Sequence, residues 1–285
     1  MATDAMGEFR RTSYEIAEAI APGWERHRAL IEEVATPIRE WMLRELAPQP
    51  GQTVLELAAG AGDSGFEAAA IVGAGGRLIS TDFSPAMLDV ARRRGGDLGV
   101  DNVEYRVMDA ERIELDADSV DGVLCRFGYM LMADPAAALA ETRRVLRPGG
   151  RLALAVWGPP DRNPFFSILG MILVQGGHIP PPDPEAPGIF SMASEERIRG
   201  LLEGAGFNTV RIEEVPVRFT LSDIDDYLGL VIDTAGPIAI ALRGLSEDEL
   251  GRLRGQVEEA FAPFLGEGGY EVPGLSIAGA ATKAP

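Results

Sequence analysis

The chain contains very little cysteine and histidine. One cysteine, Cys125, and two histidines occur among its 285 residues. A single thiol cannot form an internal disulfide, and this set of residues argues against a thiolate zinc site. The lack of disulfides suits a reducing compartment, so we expect a cytoplasmic protein. Cys125 ends an apolar run and is therefore expected to be a buried structural thiol.

Long apolar runs and basic residues are also scarce. No run of about 18 apolar residues is present, and residues 1–11 have no apolar signal core, so we expect no membrane span and no secretion signal. The chain has 26 basic against 44 acidic residues, a net charge of −18. Such a surface repels phosphate backbones, and we expect no nucleic-acid partner.

What the chain does contain is a glycine-rich turn directly after a short apolar strand. Residues 53–65 read Thr-Val-Leu-Glu-Leu-Ala-Ala-Gly-Ala-Gly-Asp-Ser-Gly. The apolar residues predict a buried parallel strand. Gly60 and Gly62 permit a sharp turn and the close approach of a ligand, and Ser64 is expected to cap the next helix. An open α/β sheet binds its cofactor at such a crevice.

Strands alternate with helices along most of the chain, which predicts a doubly wound, mostly parallel α/β sheet. The later strands are expected near residues 77–81, 103–108, 121–125, 151–157, 208–217 and 275–280. The length and the 46% hydrophobic content suffice for one large domain over residues 1–285.

Two kinds of cofactor fit the glycine-rich turn. The turn matches the dinucleotide pattern, and Asp82 lies 20 residues after Gly62, where a ribose-binding acid is expected, so a nicotinamide-dependent oxidoreductase is an alternative. Glu56, however, would repel a pyrophosphate and suits a ligand that bears a sulfonium and an ammonium group. Asp109, after the third strand, can accept a hydrogen bond from an adenine amino group. These acids favour S-adenosyl-L-methionine (SAM).

Together with the segment 143–151, which joins a helix to the fifth strand, these motifs resemble the class I SAM-dependent methyltransferases. Within them, residues 50–157 are similar to the ubiquinone/menaquinone biosynthesis methyltransferases. The resemblance implies a seven-stranded sheet with an antiparallel last strand, and S-adenosyl-L-homocysteine (SAH) as a product. It also implies which residues contact SAM. Glu56, Gly60 and Gly62 would hold the amino-acid part, and Ala58 stands where the family often has glycine. Asp82 would bind the ribose, and Asp109, beside Ala110 and Glu111, would bind the adenine.

Three further side chains complete the predicted cofactor site. Phe83 and Met87 could pack on the adenine, although core packing explains Met87 almost as well. Arg126 follows the fourth strand, where it could orient an anionic or phenolic oxygen or pair with a neighbouring acid. The apolar segment 127–132 predicts an oily wall for a hydrophobic acceptor, and its methionines also fit a plain core.

The remaining segments are expected to cover the site. Residues 1–12 are polar and expected to be mobile, and a helical cap is predicted over 12–48, broken at Pro22-Gly23 and at Pro37. A lid insertion is predicted at about 158–193, because its Pro/Gly-rich borders enclose an apolar stretch, and a second, helical lid insertion is predicted at about 222–265.

The sequence thus predicts a SAM-dependent methyltransferase that acts on oxygen or carbon of a small apolar or aromatic acceptor, without a metal ion. The segment after the fourth strand lacks the Asn/Asp-Pro-Pro-Tyr/Phe motif, which argues against amide and exocyclic-amine acceptors. A catalytic base is not assigned, and His27 and His178 are the two imidazoles available. The alternatives are the oxidoreductase and a SAM-fold protein that binds without catalysis. A homodimer is left open.

Overall fold

The computed structural model describes residues 2–183 and 186–285, with side chains from residue 7 onward. Its strands form one sheet in the order β3-β2-β1-β4-β5-β8-β6, with β7 paired to β8 alone. The strands are β1 Thr53–Glu56, β2 Arg77–Asp82, β3 Val103–Val107, β4 Val120–Arg126, β5 Leu146–Trp157, β6 Asn208–Leu221, β7 Leu265–Gly266 and β8 Gly269–Thr282.

Ten helices pack against the sheet and against one another in the part of the chain that the structure describes. They are α1 Ala2–Arg26, α2 Arg28–Leu46, α3 Asp63–Val72, α4 Pro85–Leu98, α5 Pro135–Val145, α6 Pro164–Gln175, α7 Glu195–Gly204, α8 Ile224–Thr234, α9 Gly236–Arg243 and α10 Glu247–Phe261. Helix α4 begins at Pro85, because the Ser84 hydroxyl accepts from the Met87 amide at 3.1 Å and proline suits the first turn of a helix.

The predicted sheet is confirmed. Strands β1 to β5 run parallel, and β8 is inserted antiparallel between β5 and β6. In β1 the last three residues are buried, as expected for a central strand with both faces covered. The two-residue β7 is an addition that lies off the seven-stranded path. The sequence pattern located the strands correctly but underestimated β6 and β8, which extend the sheet as a long antiparallel pair.

The amino-terminal helices differ from the prediction. Helix α1 starts at Ala2 and continues through Pro22, and α2 continues through Pro37, so the break falls at His27 instead. Residues 2–12 are helical, so the cap begins before residue 12. A proline removes one backbone hydrogen bond, but the packing of an apolar helix face outweighs that loss. Buried Ile38 and Trp41 supply such a face in α2.

The two predicted lid segments are mainly helical. Segment 158–193 contains α6, and segment 222–265 contains α8 to α10; residues 184 and 185 of the first lie outside the described residues. Asn163 anchors α6 to the sheet, since its side chain is buried and accepts from the Leu275 amide at 2.9 Å while donating to the Leu275 carbonyl at 3.0 Å. That these segments act as lids stays a prediction.

Candidate active site

The ends of the parallel strands bring most of the predicted site residues to one edge of the sheet. The Ala59 amide donates to the Thr81 carbonyl at 2.9 Å, which joins the glycine turn to the end of β2. The Met108 amide donates to the Asp82 carbonyl at 3.0 Å and brings the β3 end alongside. Three acids that are 26 to 53 positions apart in the sequence therefore lie at one crevice: Glu56, Asp82 and Asp109.

The glycine turn needs residues that tolerate left-handed backbone. Gly60 and Gly62 have φ of 56° and 84°, and Ala58 has φ of 50°. Alanine pays a steric penalty in this region that glycine avoids, which explains physically why glycine suits the position of Ala58. A Cβ on Gly62 would lie 2.6 Å from the Phe66 ring, so this turn is also closely packed against its own helix.

The Glu56 carboxylate contacts the first turn of α3 and strand β2. One carboxylate oxygen accepts from the Gly65 amide at 2.7 Å and the other from the Ser80 hydroxyl at 3.1 Å. The residue is 3% exposed. Burial raises the pKa of Glu56 to about 8, although both hydrogen bonds and the charge of Arg126 oppose that shift. Glu56 thus holds the turn and α3 in place.

The Asp82 carboxylate contacts the glycine turn itself and the residue that precedes α4. Its carboxylate accepts from the Gly60 amide at 3.0 Å and from the Ser84 amide at 2.9 Å. Burial raises the pKa of Asp82 to about 6, against these backbone hydrogen bonds, and the negative charge of Glu18 adds to the rise. Glu18 comes from α1 and accepts from the Ser84 hydroxyl at 2.5 Å, so α1 passes directly over this crevice.

The third predicted acid lies in a more open position. Asp109 is exposed, two residues beyond β3, and accepts from the Glu111 amide at 2.9 Å. Glu111 itself accepts from the Ala133 amide at 2.9 Å and pairs with Arg10 of α1. Ala110 packs against the main core. Glu111 therefore ties α1 to the segment after β4, and Asp109 is the carboxylate that faces water.

The two apolar side chains predicted beside the adenine have different surroundings. Met87 is 6% exposed and packs with Ala21 of α1 and Ala61 of the glycine turn, so the core interpretation describes its contacts. Phe83 is 36% exposed and meets Tyr14 edge to face at 6.2 Å between ring centroids. Helix α1 is thus the element that closes over the turn and α4.

Arg126 makes the ion pair that the sequence left as one of two possibilities. Its guanidinium donates to Glu32 of α2 at 2.6 Å, and both side chains are largely buried. Glu32 also pairs with Arg39 at 2.6 Å. The pair places α2 against the end of β4, next to the segment where the acceptor is expected. No local sequence signal identifies Glu32, because it lies 94 residues before Arg126.

An aromatic wall follows Arg126. Phe127 has a left-handed φ of 62° and stacks on Trp157 with 4.2 Å between ring centroids. Trp157 also contacts Phe166 of α6 at 4.8 Å and Phe219 of β6 at 5.8 Å. A Cβ on Gly128 would lie 2.7 Å from the Cβ of Ala58. The segment that carries Phe127 therefore touches Ala58 at the start of the glycine turn.

Several buried polar atoms around the start of α3 have no partner among the described residues: Asp63 Oδ2, Ser64 Oγ and, on α1, Trp24 Nε1. The N-cap of α3 is Gly62, so the prediction that Ser64 caps this helix is wrong. Buried polar atoms are normally satisfied, and a ligand bearing an ammonium and a carboxylate would satisfy these. The site thus fits the amino-acid part of SAM.

The two histidines have separate surroundings. His27 joins α1 to α2 and is hydrogen-bonded through Nε2 to Asp233 of α8 at 2.8 Å. His178 is exposed at the end of α6. Among residues 7–183 and 186–285, no three His, Cys, Asp or Glu side chains lie together as a metal-binding group. Within the described chain, no helix is both long and apolar enough to cross a membrane.

Known proteins resemble both the sequence and the fold. A profile of the ubiE/COQ5 methyltransferase family matches residues 34–162. A demethylmenaquinone methyltransferase of Clavibacter sepedonicus is 41% identical over 118 residues, which make up 41% of this chain and 46% of that protein. A ubiquinone/menaquinone biosynthesis C-methyltransferase of Klebsiella pneumoniae is 32% identical over 170 residues, 56% of this chain and 68% of that protein.

A crystal structure of a candidate methyltransferase from Bacillus halodurans C-125 superposes with a TM-score of 0.60 at 22% identity, covering 87% of this chain and 99% of that one. At this identity the likeness concerns the fold alone. The matched stretch spans less than half of the Clavibacter relative but more than two thirds of the Klebsiella relative. By this extent of similarity, the chain belongs to the ubiE/COQ5 methyltransferase family of SAM-dependent enzymes.

Proposed function

We propose that this chain transfers the methyl group of SAM to a ring carbon or a phenolic oxygen of a small, reduced aromatic acceptor of the quinol type. The observation that carries this proposal is that Gly128, the residue after Phe127, packs against Ala58 of the glycine turn and so brings the aromatic residues next to the cofactor crevice. Gly128 fits against Ala58 only because it lacks a Cβ, and the neighbouring Phe127 is already stacked on Trp157. A planar aromatic acceptor suits such a surface, because aromatic rings favour stacked and edge-to-face contacts.

The cofactor half of the site has the groups that SAM needs. Asp82 is proposed to accept from the ribose hydroxyls, and Asp109 from the adenine amino group. The glycine turn leaves room for the close approach of a ligand to its backbone. The bound cofactor supplies an electrophilic methyl group on a sulfonium, and the protein supplies orientation and exclusion of water. The alternative of a nicotinamide dinucleotide is disfavoured, since its pyrophosphate would meet several acids here.

The acceptor half is proposed to orient the substrate by shape and by one charge. Half-buried Phe127, stacked on the buried Trp157, supplies the apolar surface, and the Arg126 guanidinium lies 6.0 Å from the Phe127 ring centroid. Arg126 is paired with Glu32, and its remaining N–H groups are proposed to donate to the acceptor oxygen and favour the phenolate form, whose neighbouring ring carbon is more nucleophilic than that of the phenol. Because the Klebsiella relative is named a C-methyltransferase, we favour carbon over oxygen as the acceptor atom.

The test combines binding and turnover. Calorimetry with SAH is expected to show binding, while NADH is expected to show none. Anaerobic incubation with SAM and 1,4-naphthohydroquinone should yield SAH and a ring-methylated product, located by mass spectrometry and NMR. A product methylated at oxygen would correct the atom but keep the reaction. Binding of NADH in place of SAH would overturn the proposal, and SAH binding without turnover of quinols or phenols would support the non-catalytic alternative.

A further inference from the structure

The cofactor's amino-acid part needs charged partners, and Glu56 is poorly placed to be one. Both of its oxygens are engaged behind the turn, by the Gly65 amide and by the Ser80 hydroxyl. A Cβ on Gly65 would lie 2.1 Å from Glu56 Oε2, so no space separates this carboxylate from α3. Glu56 is enclosed by the loop that it supports.

Asp63 has the opposite arrangement. Its Oδ1 accepts from Arg94 Nε of α4 at 3.1 Å, whereas its Oδ2 is buried and has no partner within the described residues. The residue is 8% exposed, and the neighbouring Ser64, 3% exposed, likewise has an unpartnered hydroxyl. An unsatisfied buried carboxylate oxygen is costly, so its retention at the first turn of α3 points to a ligand with a donor group.

A positive partner lies beside this carboxylate. Arg28, the first residue of α2, has its Nη1 3.7 Å from Asp63 Oδ1, which is too long for a hydrogen bond. Within the part of the chain that the structure describes, the Arg28 guanidinium makes no hydrogen bond, and its side chain is 33% exposed. Arg94 Nε donates to this same Oδ1 at 3.1 Å, so Oδ1 has its partner without Arg28. The donors of Arg28 therefore remain available to an anion.

We propose that Asp63 and Arg28 form a pair of opposite charges that binds the zwitterionic amino-acid end of SAM, Asp63 taking the ammonium and Arg28 the carboxylate. The Ser64 hydroxyl donates to the same carboxylate. Glu56 acts as a positioning residue that shapes the turn without touching the cofactor. This inference rests on the proposed use of SAM and assigns to Asp63 and Arg28 the contact that the family resemblance gives to Glu56. A carboxylate and a guanidinium a few ångströms apart match two opposite charges carried on one carbon atom.

The test compares two ligands that differ only where the pair is proposed to act. SAH carries the amino-acid chain, whereas 5′-deoxy-5′-methylthioadenosine keeps the adenosine and the sulfur but lacks it. By calorimetry, Asp63→Asn and Arg28→Gln should each weaken SAH binding about tenfold or more, the scale of a hydrogen bond to a charged group, and leave methylthioadenosine binding unchanged. Arg92→Gln, an exposed residue paired with Asp89 on its own helix, is the matched control and should change neither affinity.

The outcomes separate this inference from the proposed function. Equal weakening of both ligands by Asp63→Asn and Arg28→Gln would show a structural role and overturn the pair, as would unchanged SAH binding in both folded variants. Glu56→Gln should shift the two affinities by one common factor. A loss confined to SAH would instead restore Glu56 as the contact residue. Failure of the unaltered protein to bind SAH would refute the proposed function, and this inference with it.

Discussion

The cofactor half and the acceptor half of the candidate active site use different kinds of side chain. On the side of β1 and β2, carboxylates hold a tight backbone turn through amide and hydroxyl donors, as Glu56 does with Gly65 and Asp82 with Gly60. On the side of β4 to β6, rings from β5, β6, α6 and the segment after β4 contact one another, and Phe165 stacks on Phe219 with 3.9 Å between centroids. The first half is local and polar, and the second is distributed and apolar.

This difference matches the two tasks of a group-transfer enzyme. A cofactor with fixed polar groups requires directional donors and acceptors at set positions, which a short motif at the strand ends provides. A hydrophobic acceptor requires shape and dry surface, which many side chains share. Changes in the first half should therefore act mainly on ligand binding, and changes in the second mainly on stability and acceptor use.

The largest expected effect is on folding, in the aromatic half. Trp157→Ala removes a ring that contacts Phe127, Phe166 and Phe219, and should lower the free energy of unfolding by about 3–5 kcal/mol. Urea denaturation measures this loss. Met171→Ala on α6 is the control, since Met171 is 54% exposed and should cost little. SAH affinity is then measured on the folded variant. If the binding free energy falls by more than the free energy of unfolding does, the separation of the two halves is contradicted.

The next effect is a pH dependence that originates in Glu56. Its native pKa is raised from 4.5 to about 8, so between these values the native state keeps a proton that the unfolded state has released. Stability should therefore fall as pH rises through this window, by up to roughly 3–5 kcal/mol. Unfolding experiments on the unliganded protein from pH 5 to 8.5 test this. Glu56→Gln should flatten the profile above about pH 6, below which Asp82 still contributes, and exposed Glu196→Gln should leave the profile unchanged.

A smaller effect is expected for cofactor binding through Asp82. Asp82→Ala should weaken SAH binding by about 1–3 kcal/mol, since it removes the acceptor proposed for the ribose hydroxyls. It also frees the Gly60 and Ser84 amides, so some loss of stability should accompany it. Calorimetry on the folded variant, with exposed Asp101→Ala as control, measures the affinity. An unchanged affinity would remove Asp82 from the site.

The smallest expected effect is that of chelation. Turnover of 1,4-naphthohydroquinone should survive exhaustive treatment with EDTA, because the acids at the strand ends are proposed to serve the turn and the cofactor. Activity that disappears with EDTA and returns with magnesium would place a metal in the acceptor half. The aromatic wall would then be only part of that half.

The cofactor half could be predicted from sequence to a large extent because its signals are local. The glycine turn, Glu56 and the Ser84 cap all lie within a few residues of the strands that carry them. Asp63 was present in the same motif but was missed, since only the structure reveals that one of its oxygens is buried without a partner. Arg28 and Glu32 had no signal, because α2 reaches the site only after the chain has folded.

The sequence by itself determined the order of strands and helices, the crevice at the strand ends and the resemblance to SAM-dependent methyltransferases. Alternation of apolar segments and glycine turns encodes these features within windows of 10 to 20 residues. Tertiary structure alone decided that α1 continues through Pro22 and covers the glycine turn, that Arg126 pairs with Glu32, and that the aromatic rings converge. These contacts join residues distant in the chain, and their energies depend on burial and charge that no single segment possesses.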